Sequence, residues 1–442
     1  MKYKIITYGC QMNEHDSEKI AGMLEGMGFR PAAEDNEADV IVFNTCLVRE
    51  NAELKVHGKV GSYKPLKEEN PDLILAVGGC MMQQQEIADE FYRKHSHVDI
   101  VFGTHNLAEL PALIQQVKSG QNRIMEVWEG DRGLVPDVPT RRKNDYQAWL
   151  TVIQGCENYC SYCIVPHVRG QERSRPPEDI LKEAENLARE GFIELTLLGQ
   201  NVNSYGQDLE ENINFPSLLA KISSVSGIKR IRFMTSHPRD FSRELIAVCA
   251  AKDNICPHFH LPVQAGSTSV LRDMNRGYTR EEYLKLVERI RQKIPEAAIT
   301  TDIIVGFPGE TEQEFEETIS LVKKVRFDMA FTFTYSPREG TPAAGREDSV
   351  PRQEKNRRLQ RLMKVQNNIS QEINQELIGS QQEVLIEGES KKDPDYYSGR
   401  TATNKLVIVP ACPAKTGKIV PVKITEAGSW TLYGEITGNC QS

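Results

Sequence analysis

The first 120 residues alternate short apolar runs with amphipathic segments, and this alternation limits the fold more than any other feature of the chain. Apolar runs between polar turns predict β-strands, and an apolar period near that of the α-helix predicts helices. Strands separated by helices predict an α/β domain with a parallel, doubly wound sheet. The predicted strands are Lys4–Tyr8, Val40–Asn44, Leu73–Val77 and Asp99–Phe102, and the predicted helices are Ser17–Met27, a stretch from Glu50, Gln84–Lys94 and Leu107–Lys118.

Three cysteines follow three of these strands: Cys10 the first, Cys46 the second and Cys80 the third. The carboxyl ends of parallel strands meet at one edge of an open sheet, where such folds bind ligands. We therefore expect the three thiols to form one site with an incomplete ligand set. The alternative is that each is a structural core cysteine. Gly9 and Gly79, directly before two of them, favour a site.

A second group of three cysteines lies within one short segment. Cys156, Cys160 and Cys163 have the spacing C-x3-C-x2-C, and no fourth cysteine follows nearby. Three thiolates can hold three irons of a 4Fe-4S cube and leave the fourth iron open to a small molecule. The alternative is a zinc knuckle or a buried thiol cluster, and His167 is the nearby candidate for a fourth zinc ligand. Four further cysteines show no ligand spacing and are interpreted as structural: Cys249, Cys256, Cys412 and Cys440.

The cysteine loop opens a central segment, residues 145–375, whose pattern predicts a partial parallel barrel of the TIM type. The working face of such a barrel lies at the carboxyl ends of its strands. Singly, each polar residue there would be an ordinary loop residue, but together they favour a cofactor site: Gly199, Gln200, Asn201, Ser236, Gln264 and Asp302. Arg276 either binds a cofactor carboxylate or lies in a solvated turn. The predicted strands are Trp149–Gln154, Glu194–Leu198, Lys229–Met234, His258–Pro262, Ala298–Val305 and Met329–Thr334.

The remaining segments complete the predicted domain organisation. Residues 1–120 form the sheet domain, residues 121–144 a linker rich in Pro, Arg and Asp, and residues 376–442 a small β-barrel. The last assignment rests on short strands between Gly and Pro turns, a pattern that also suits OB folds. The predicted strands there are Gln382–Ile386, Thr403–Val409, Lys418–Glu426 and Thr431–Ile436. No run of 18 apolar residues occurs, so we expect no membrane span and a cytoplasmic location. Cysteines in a reducing compartment favour metal chemistry over disulfides.

The net charge of −8 means that a nucleic acid would have to be bound by local basic patches. One patch lies on the predicted helix Arg352–Gln375, and two more flank the central cysteine loop. A charge run on a helix is usually only a solvated face. Grouping around a proposed site favours phosphate contacts, so we predict RNA contacts for seven arginines: Arg141, Arg142, Arg173, Arg175, Arg357, Arg358 and Arg361.

Three stretches carry a resemblance to a known family: Gly9–Glu18, Asn44–Ala52 and Gly155–Arg175. With the order of the segments, they resemble the methylthiotransferases, a family of radical S-adenosylmethionine (SAM) enzymes. The resemblance covers essentially the whole chain. It implies an N-terminal cluster domain, a radical-SAM core and a C-terminal TRAM domain. The residues after the first cysteine, Gln11-Met12-Asn13, do not match two branches of the family, those that modify a ribosomal protein and threonylcarbamoyladenosine. They resemble the branch that modifies isopentenylated tRNA.

The resemblance implies two 4Fe-4S clusters, one on Cys10, Cys46 and Cys80, and one, which binds SAM, on the C-x3-C-x2-C loop. SAM would serve as methyl donor and as source of a 5′-deoxyadenosyl radical. The implied reaction is methylthiolation of carbon 2 of N6-isopentenyladenosine at position 37 of tRNA. The implied partners are the tRNA anticodon arm and an electron donor such as flavodoxin or ferredoxin.

Two alternatives remain open at this point. The first keeps the chemistry but changes the substrate to another tRNA adenosine or to a ribosomal protein. The second is a non-enzymatic RNA-binding or electron-transfer protein that only carries clusters. Electron-transfer clusters are normally bound by four cysteines, and each site here offers three.

Overall fold

A computed structural model describes residues 1–47, 50–128 and 138–437. Residues 48 and 49, the part of the predicted linker from 129 to 137, and Cys440 lie outside the described residues. Cys249, Cys256 and Cys412 are buried. In the described part of the chain, no helix has both the length and the apolar character needed to cross a membrane.

The N-terminal domain is a six-stranded parallel sheet with the order β2-β1-β3-β4-β5-β6, which confirms the predicted doubly wound fold. Helices cover both faces, so the central strands β3 and β4 are buried along their whole length. Such strands read as continuous apolar runs, which is why they were predictable. The elements are β1 (Lys2–Thr7), α1 (Gln11–Gly26), β2 (Arg30–Pro31), β3 (Val40–Thr45), α2 (Glu50–Gly61), α3 (Lys64–Glu69), β4 (Ile74–Gly79), α4 (Gln85–Lys94), β5 (Ile100–Phe102), α5 (Leu110–Lys118) and β6 (Ile124–Glu126).

Helix α1 differs most from its prediction, because it begins directly after Cys10 and not at Ser17. Its first turns bury the polar side chains of Asn13, His15 and Asp16. Polar residues on a buried face give no apolar period, so the sequence pattern misses these turns.

The central domain consists of two three-stranded parallel sheets, β11-β10-β7 and β12-β13-β14, joined by a parallel bridge between Ile231 and Ile255. Together they form the predicted partial barrel, and its open side lies between the edge strands β7 and β14. The barrel strands are β7 (Gln147–Thr151), β10 (Glu194–Leu198), β11 (Arg230–Phe233), β12 (His258–His260), β13 (Ala298–Val305) and β14 (Met329–Thr334). Two further strands, β8 (Ile153–Gln154) and β9 (Arg173–Ser174), pair as a separate antiparallel sheet.

One of the eight helices of this domain, Val165–Arg169, packs against the N-terminal domain, and the other seven pack around the two sheets. Their apolar faces and the outward faces of the strands share one large core that includes Leu195, Phe233 and Phe259. Thr279 and Thr311 cap α11 and α12 through reciprocal hydrogen bonds with Glu282 and Glu314. The helices are α6 (Val165–Arg169), α7 (Pro177–Glu190), α8 (Phe215–Ile222), α9 (Arg243–Ala251), α10 (Thr268–Asp273), α11 (Arg280–Lys293), α12 (Glu312–Val325) and α13 (Arg352–Gln375).

The C-terminal segment is a closed five-stranded barrel, as predicted, with the order β15-β16-β17-β19-β18. It docks on the amino ends of the central strands, because Arg230 and Arg232 of β11 donate to four of its carbonyl groups at 2.7–2.9 Å. Strand β16 was not predicted, since its polar and glycine-containing sequence gives no alternating pattern. The strands are β15 (Gln381–Glu389), β16 (Tyr396–Thr401), β17 (Leu406–Pro410), β18 (Ile419–Ala427) and β19 (Thr431–Ile436).

Candidate functional site

The first group of cysteines, here called the sheet-edge site, lies at the carboxyl edge of the N-terminal sheet. Cys10 is the N-cap of α1, Cys46 directly follows β3 and Cys80 directly follows β4. All three are free thiols. The pKa of Cys80 is raised to about 11, mainly by burial, with smaller contributions from the neighbouring thiols of Cys46 and Cys10, whereas Arg169 acts in the opposite direction. The fold therefore brings the three thiols together.

Buried amides connect the loops of the sheet-edge site. The Asn13 amide donates to Asn44 Oδ1 at 3.2 Å and to the Thr45 carbonyl at 3.0 Å, and Asn44 donates to the Asn13 carbonyl at 2.7 Å. Asn13 Oδ1 also lies 3.4 Å from Cys10 Sγ. Gly79 has a φ of +98°, and a Cβ atom there would overlap Thr45. The loops thus fit together only with glycine before Cys80.

The second group, here called the barrel-loop site, lies on the loop after β8. Gly155 has a φ of +78°, and a Cβ atom there would overlap the Gln171 carbonyl. Its amide donates to Gln200 Oε1 at 2.6 Å, which fixes the loop to the carboxyl end of β10. Burial raises the pKa of Cys156 to about 11 and that of Cys163 to about 12. Bare thiolates are costly here, so a cationic centre would stabilise them.

The donor sets suit a cluster that is bound through several irons. Each site offers three free cysteine thiols, which are the ligands that iron–sulfur clusters use. Within the described ranges, no three His, Cys, Asp or Glu side chains are arranged around a single metal ion. In a cube each thiolate binds a different iron, so its ligands stand further apart than those of one ion. His167, the ligand considered for zinc, is exposed on α6.

Arg276 lies beneath the barrel-loop site and not in a solvated turn, since only 4% of it is exposed. Its Nη1 atom lies 3.2 Å from Cys160 Sγ, and Nη2 donates to the Pro262 carbonyl at 2.8 Å. Nε donates to the Tyr278 hydroxyl at 3.1 Å. The guanidinium therefore connects the cysteine loop to the chain just after β12. A contact with a cofactor carboxylate stays a prediction.

The other residues predicted to bind a cofactor lie at the carboxyl ends of the barrel strands. Gly199, Gln200 and Asn201 follow β10, Ser236 follows β11, Gln264 follows β12 and Asp302 lies in β13. Several of them bond to protein groups: Asn201 to Asp240 at 2.7 Å, Ser236 to Asn203 at 3.2 Å, and Gln264 in a parallel bridge with Ile303. The structure thus groups them, and their cofactor contacts remain predictions.

His237 lies in the strand-end run Ser236-His237-Pro238 but was not among the residues predicted to bind a cofactor. Its side chain is buried, and burial, together with the charges of Arg276 and Arg239, lowers its pKa to about 2. The imidazole is therefore neutral, and its Nε2 atom has no hydrogen-bond partner among the described residues. A buried polar atom without a partner at a strand end suits a ligand. Its position in Ser236-His237-Pro238 was the available signal.

Six of the seven predicted RNA-contacting arginines divide into two groups of three. Arg142, Arg175 and Arg358 have side chains that are at most 14% exposed, and they form ion pairs with Glu183 or Glu310 at 2.6–2.8 Å, so protein carboxylates hold them. Three others are partly exposed and also paired, Arg141 with Glu25, Arg357 with Glu312 and Arg361 with Glu316. Arg173 lies in β9 beside the cysteine loop. RNA contacts for the exposed members remain predictions.

The two cysteine sites face each other because the N-terminal domain spans the open side of the barrel. At one edge, Thr151 of β7 lies 3.9 Å from Met12 Sδ in α1. At the other, Gln84 donates to the Glu339 carbonyl, just after β14, at 3.4 Å. Between them, α6 packs into the N-terminal core through Val168, and Arg169 forms an ion pair with Asp16 at 2.7 Å. Helix α6 directly follows the barrel-loop site.

Comparison with known proteins assigns the three segments. Residues 2–103 match the uncharacterized protein family UPF0004, residues 150–322 the Radical SAM superfamily and residues 375–437 the TRAM domain. Among solved structures, a radical SAM methyltransferase, TsrM from Kitasatospora setae, superposes with a TM-score of 0.57 at 14% identity, over 78% of this chain and 77% of that one. At this identity the similarity shows a shared fold only.

Sequence relatives are much closer. The tRNA-2-methylthio-N(6)-dimethylallyladenosine synthase of Natranaerobius thermophilus is 53% identical over 98% of this chain and 96% of its own length. That of Carboxydothermus hydrogenoformans is 54% identical over 98% of both chains. With this identity over nearly its full length, the protein belongs to the same methylthiotransferase family of radical SAM enzymes.

Proposed function

We propose that this protein methylthiolates carbon 2 of N6-isopentenyladenosine at position 37 of tRNA. The observation that carries the proposal is the pair of three-cysteine sites facing each other across the open side of the barrel. The names of the full-length relatives supply the substrate class, since dimethylallyl and isopentenyl denote the same prenyl group in these names. An electron-transfer protein would not need two incomplete cysteine sites at the mouth of one cavity.

The sheet-edge site and the barrel-loop site would each hold a 4Fe-4S cluster with one iron free of protein ligands, and SAM would bind at the barrel-loop site. When bound, these groups supply the electron, the radical and the methylthio group, which side chains cannot provide. The chain's own residues position them. Gln200 fixes the barrel loop at its start and Arg276 fixes it at Cys160, and Asn13 and Asn44 fix the sheet-edge loops.

The RNA must present its base between the two sites. Position 37 lies in a single-stranded loop, from which a base can be splayed out at a modest cost. The exposed cations near the open side, Arg141 and Lys143, suit contacts with the phosphates of the anticodon arm. The C-terminal barrel and the exposed arginines of α13 would extend this surface. The reductant would be a protein such as flavodoxin or ferredoxin, in the cytoplasm.

The test is nucleoside mass spectrometry after anaerobic incubation of tRNA with reconstituted protein, reductant, SAM and sulfide. Isopentenylated tRNA and the same tRNA without the prenyl group are treated side by side. A methylthio mass shift on the isopentenylated adenosine alone supports the proposal. No shift on either RNA, with 5′-deoxyadenosine still formed, would retain radical SAM chemistry and reject this substrate.

A further inference from the structure

Two exposed phenylalanines lie on β14, the strand at one edge of the open side of the central barrel. Phe331 and Phe333 of β14 are each 42% exposed, and among the described residues no other phenylalanine reaches this exposure class. We propose that this pair forms the pocket for the prenylated adenine of the RNA. The inference rests on the function proposed above and adds the residues that distinguish the prenylated base from an unmodified one.

The register of the strands shows which way the two rings point. Residues paired across parallel strands share a face of the sheet. Asp302 pairs with Phe331 and Ile304 with Phe333, whereas Ala330, which lies between the two rings in sequence, belongs to the buried core against the helices. The two rings are therefore on the opposite face, towards the barrel cavity. The ring of His260 lies 6.1 Å from that of Phe331 and confirms this orientation.

The C-terminal barrel covers one end of the central barrel. From β11, the side chain of Arg232 donates to the Thr401 and Ala402 carbonyls of the C-terminal barrel. On the same cavity-facing row, Arg232 pairs with Thr196 and Thr196 with Trp149 of β7. Phe331 and Phe333 on one edge strand and Trp149 on the other thus flank the open side.

The sheet-edge site lies over the same opening. Its helix α1 contacts β7 through Met12, and the loop after Cys80 contacts the chain after β14 through Gln84. A base that enters between the two cysteine sites would therefore meet the cavity face of β14. Adjacent exposed apolar groups in a groove are typical of a ligand-binding surface.

The chemistry of the pocket matches a prenylated purine. Aromatic faces stack on bases without needing a particular hydrogen-bond pattern. An apolar wall next to them gains free energy by covering the branched hydrocarbon chain on N6. Asp302, 3.4 Å from His260, adds a polar group beside Phe331 that could accept a hydrogen bond from the adenine N6–H. An unmodified adenosine would leave the apolar part of the pocket empty.

The test measures the affinity of reconstituted protein for an anticodon stem-loop with and without the prenyl group, by fluorescence anisotropy at fixed salt. We expect the wild-type protein to prefer the prenylated RNA by about tenfold or more, the effect of hydrocarbon in a fitted pocket. The double variant F331A/F333A should lose this preference through weaker binding of the prenylated RNA only. F331L/F333L, which keeps apolar side chains, should retain most of it. Y433A, which removes a similarly exposed aromatic ring from β19 of the C-terminal barrel, should change the affinity for both RNAs equally and leave their ratio unchanged.

Three outcomes separate the alternatives. An unchanged preference in F331A/F333A would overturn the pocket even if the wild-type protein methylthiolates the RNA. Loss of SAM binding in that variant, with the RNA preference intact, would place the adenine of SAM on these rings and also overturn it. If the wild-type protein shows neither a preference nor a methylthio mass shift, the proposed function fails together with the pocket.

Discussion

The sheet-edge site and the barrel-loop site offer the same three donor atoms but are built in opposite ways. Cys156, Cys160 and Cys163 share one loop, so a short stretch of backbone sets their arrangement. Cys10, Cys46 and Cys80 follow β1, β3 and β4, so they meet only when the N-terminal sheet has formed. The difference shows that one site can be recognised from spacing, whereas the other requires the topology of the fold.

The largest effect should come from removing one thiol from each site. In C160A we expect no SAM cleavage, because the site predicted to bind SAM loses one of its three iron ligands. In C46A we expect cleavage to 5′-deoxyadenosine to continue while methylthio transfer to tRNA is lost. Both products are measured in one anaerobic reaction by mass spectrometry. Full methylthiolation by either variant would contradict these two roles.

A smaller but still large effect should come from the glycines that precede the cysteines. The G79A and G155A substitutions each place a Cβ atom on a neighbouring backbone group at a positive φ. The backbone conformation alone costs about 1–3 kcal/mol for a residue other than glycine. We expect each variant to lose the cluster of its own site and keep the other, which leaves about half of the wild-type iron content.

Iron analysis and electron paramagnetic resonance after reconstitution would measure this loss. G26A is a matched control, since a Cβ atom at Gly26 in α1 meets nothing within 4 Å. If G79A also empties the barrel-loop site, the two sites are not built independently and the comparison drawn above is wrong.

The sequence predicted the parts of the fold that depend on apolar patterns. Strands β3 and β4 were predictable because both of their faces are buried. Strand β13 was predictable because one of its faces is apolar. The start of α1 and strand β16 were missed, since buried polar groups and glycines determine them. In the site, spacing and topology identified the six cysteines, but they did not foresee that Arg142, Arg175 and Arg358 are held by carboxylates. Ion pairs between distant segments leave no mark in a local pattern.

The ion pair that connects the two sites should contribute several kcal/mol to the free energy of unfolding. Arg169, which follows the barrel loop, forms an ion pair with Asp16 of α1, and their side chains are only 12% and 10% exposed. The D16N substitution leaves the guanidinium as a buried charge with a neutral partner. Breaking such a pair costs about 3–5 kcal/mol. Urea denaturation would measure the decrease in the free energy of unfolding.

The exposed pair Lys2–Glu37 provides the control for this prediction. E37Q removes a carboxylate of similar geometry at the surface, where ion pairs contribute little, so its denaturation midpoint should match the wild type. Equal midpoints for D16N and E37Q would mean that Arg169 does not connect the two domains energetically.

The smallest predicted effect concerns the electronic properties of the barrel-loop site. Arg276 Nη1 lies 3.2 Å from Cys160 Sγ, and hydrogen bonds to cluster sulfurs help to set the reduction potential. A cationic donor stabilises the more negative, reduced state, so R276Q should lower the potential of the cluster bound there. A charged hydrogen bond that is stronger in one oxidation state by about 1 kcal/mol corresponds to a shift on the order of 50 mV for one electron.

Redox titration of reconstituted protein, followed by electron paramagnetic resonance, would measure this shift separately for each cluster. R276K keeps the positive charge and should shift the potential less than R276Q does. The cluster of the sheet-edge site should keep its potential in both variants. The hydrogen-bond partners of Arg276 include Cys160, Pro262 and Tyr278, which all belong to the central domain. Equal shifts at both clusters would indicate a general loosening of the fold. A shift confined to the barrel-loop site would show that the residues around each cysteine group set the reduction potential of its own cluster.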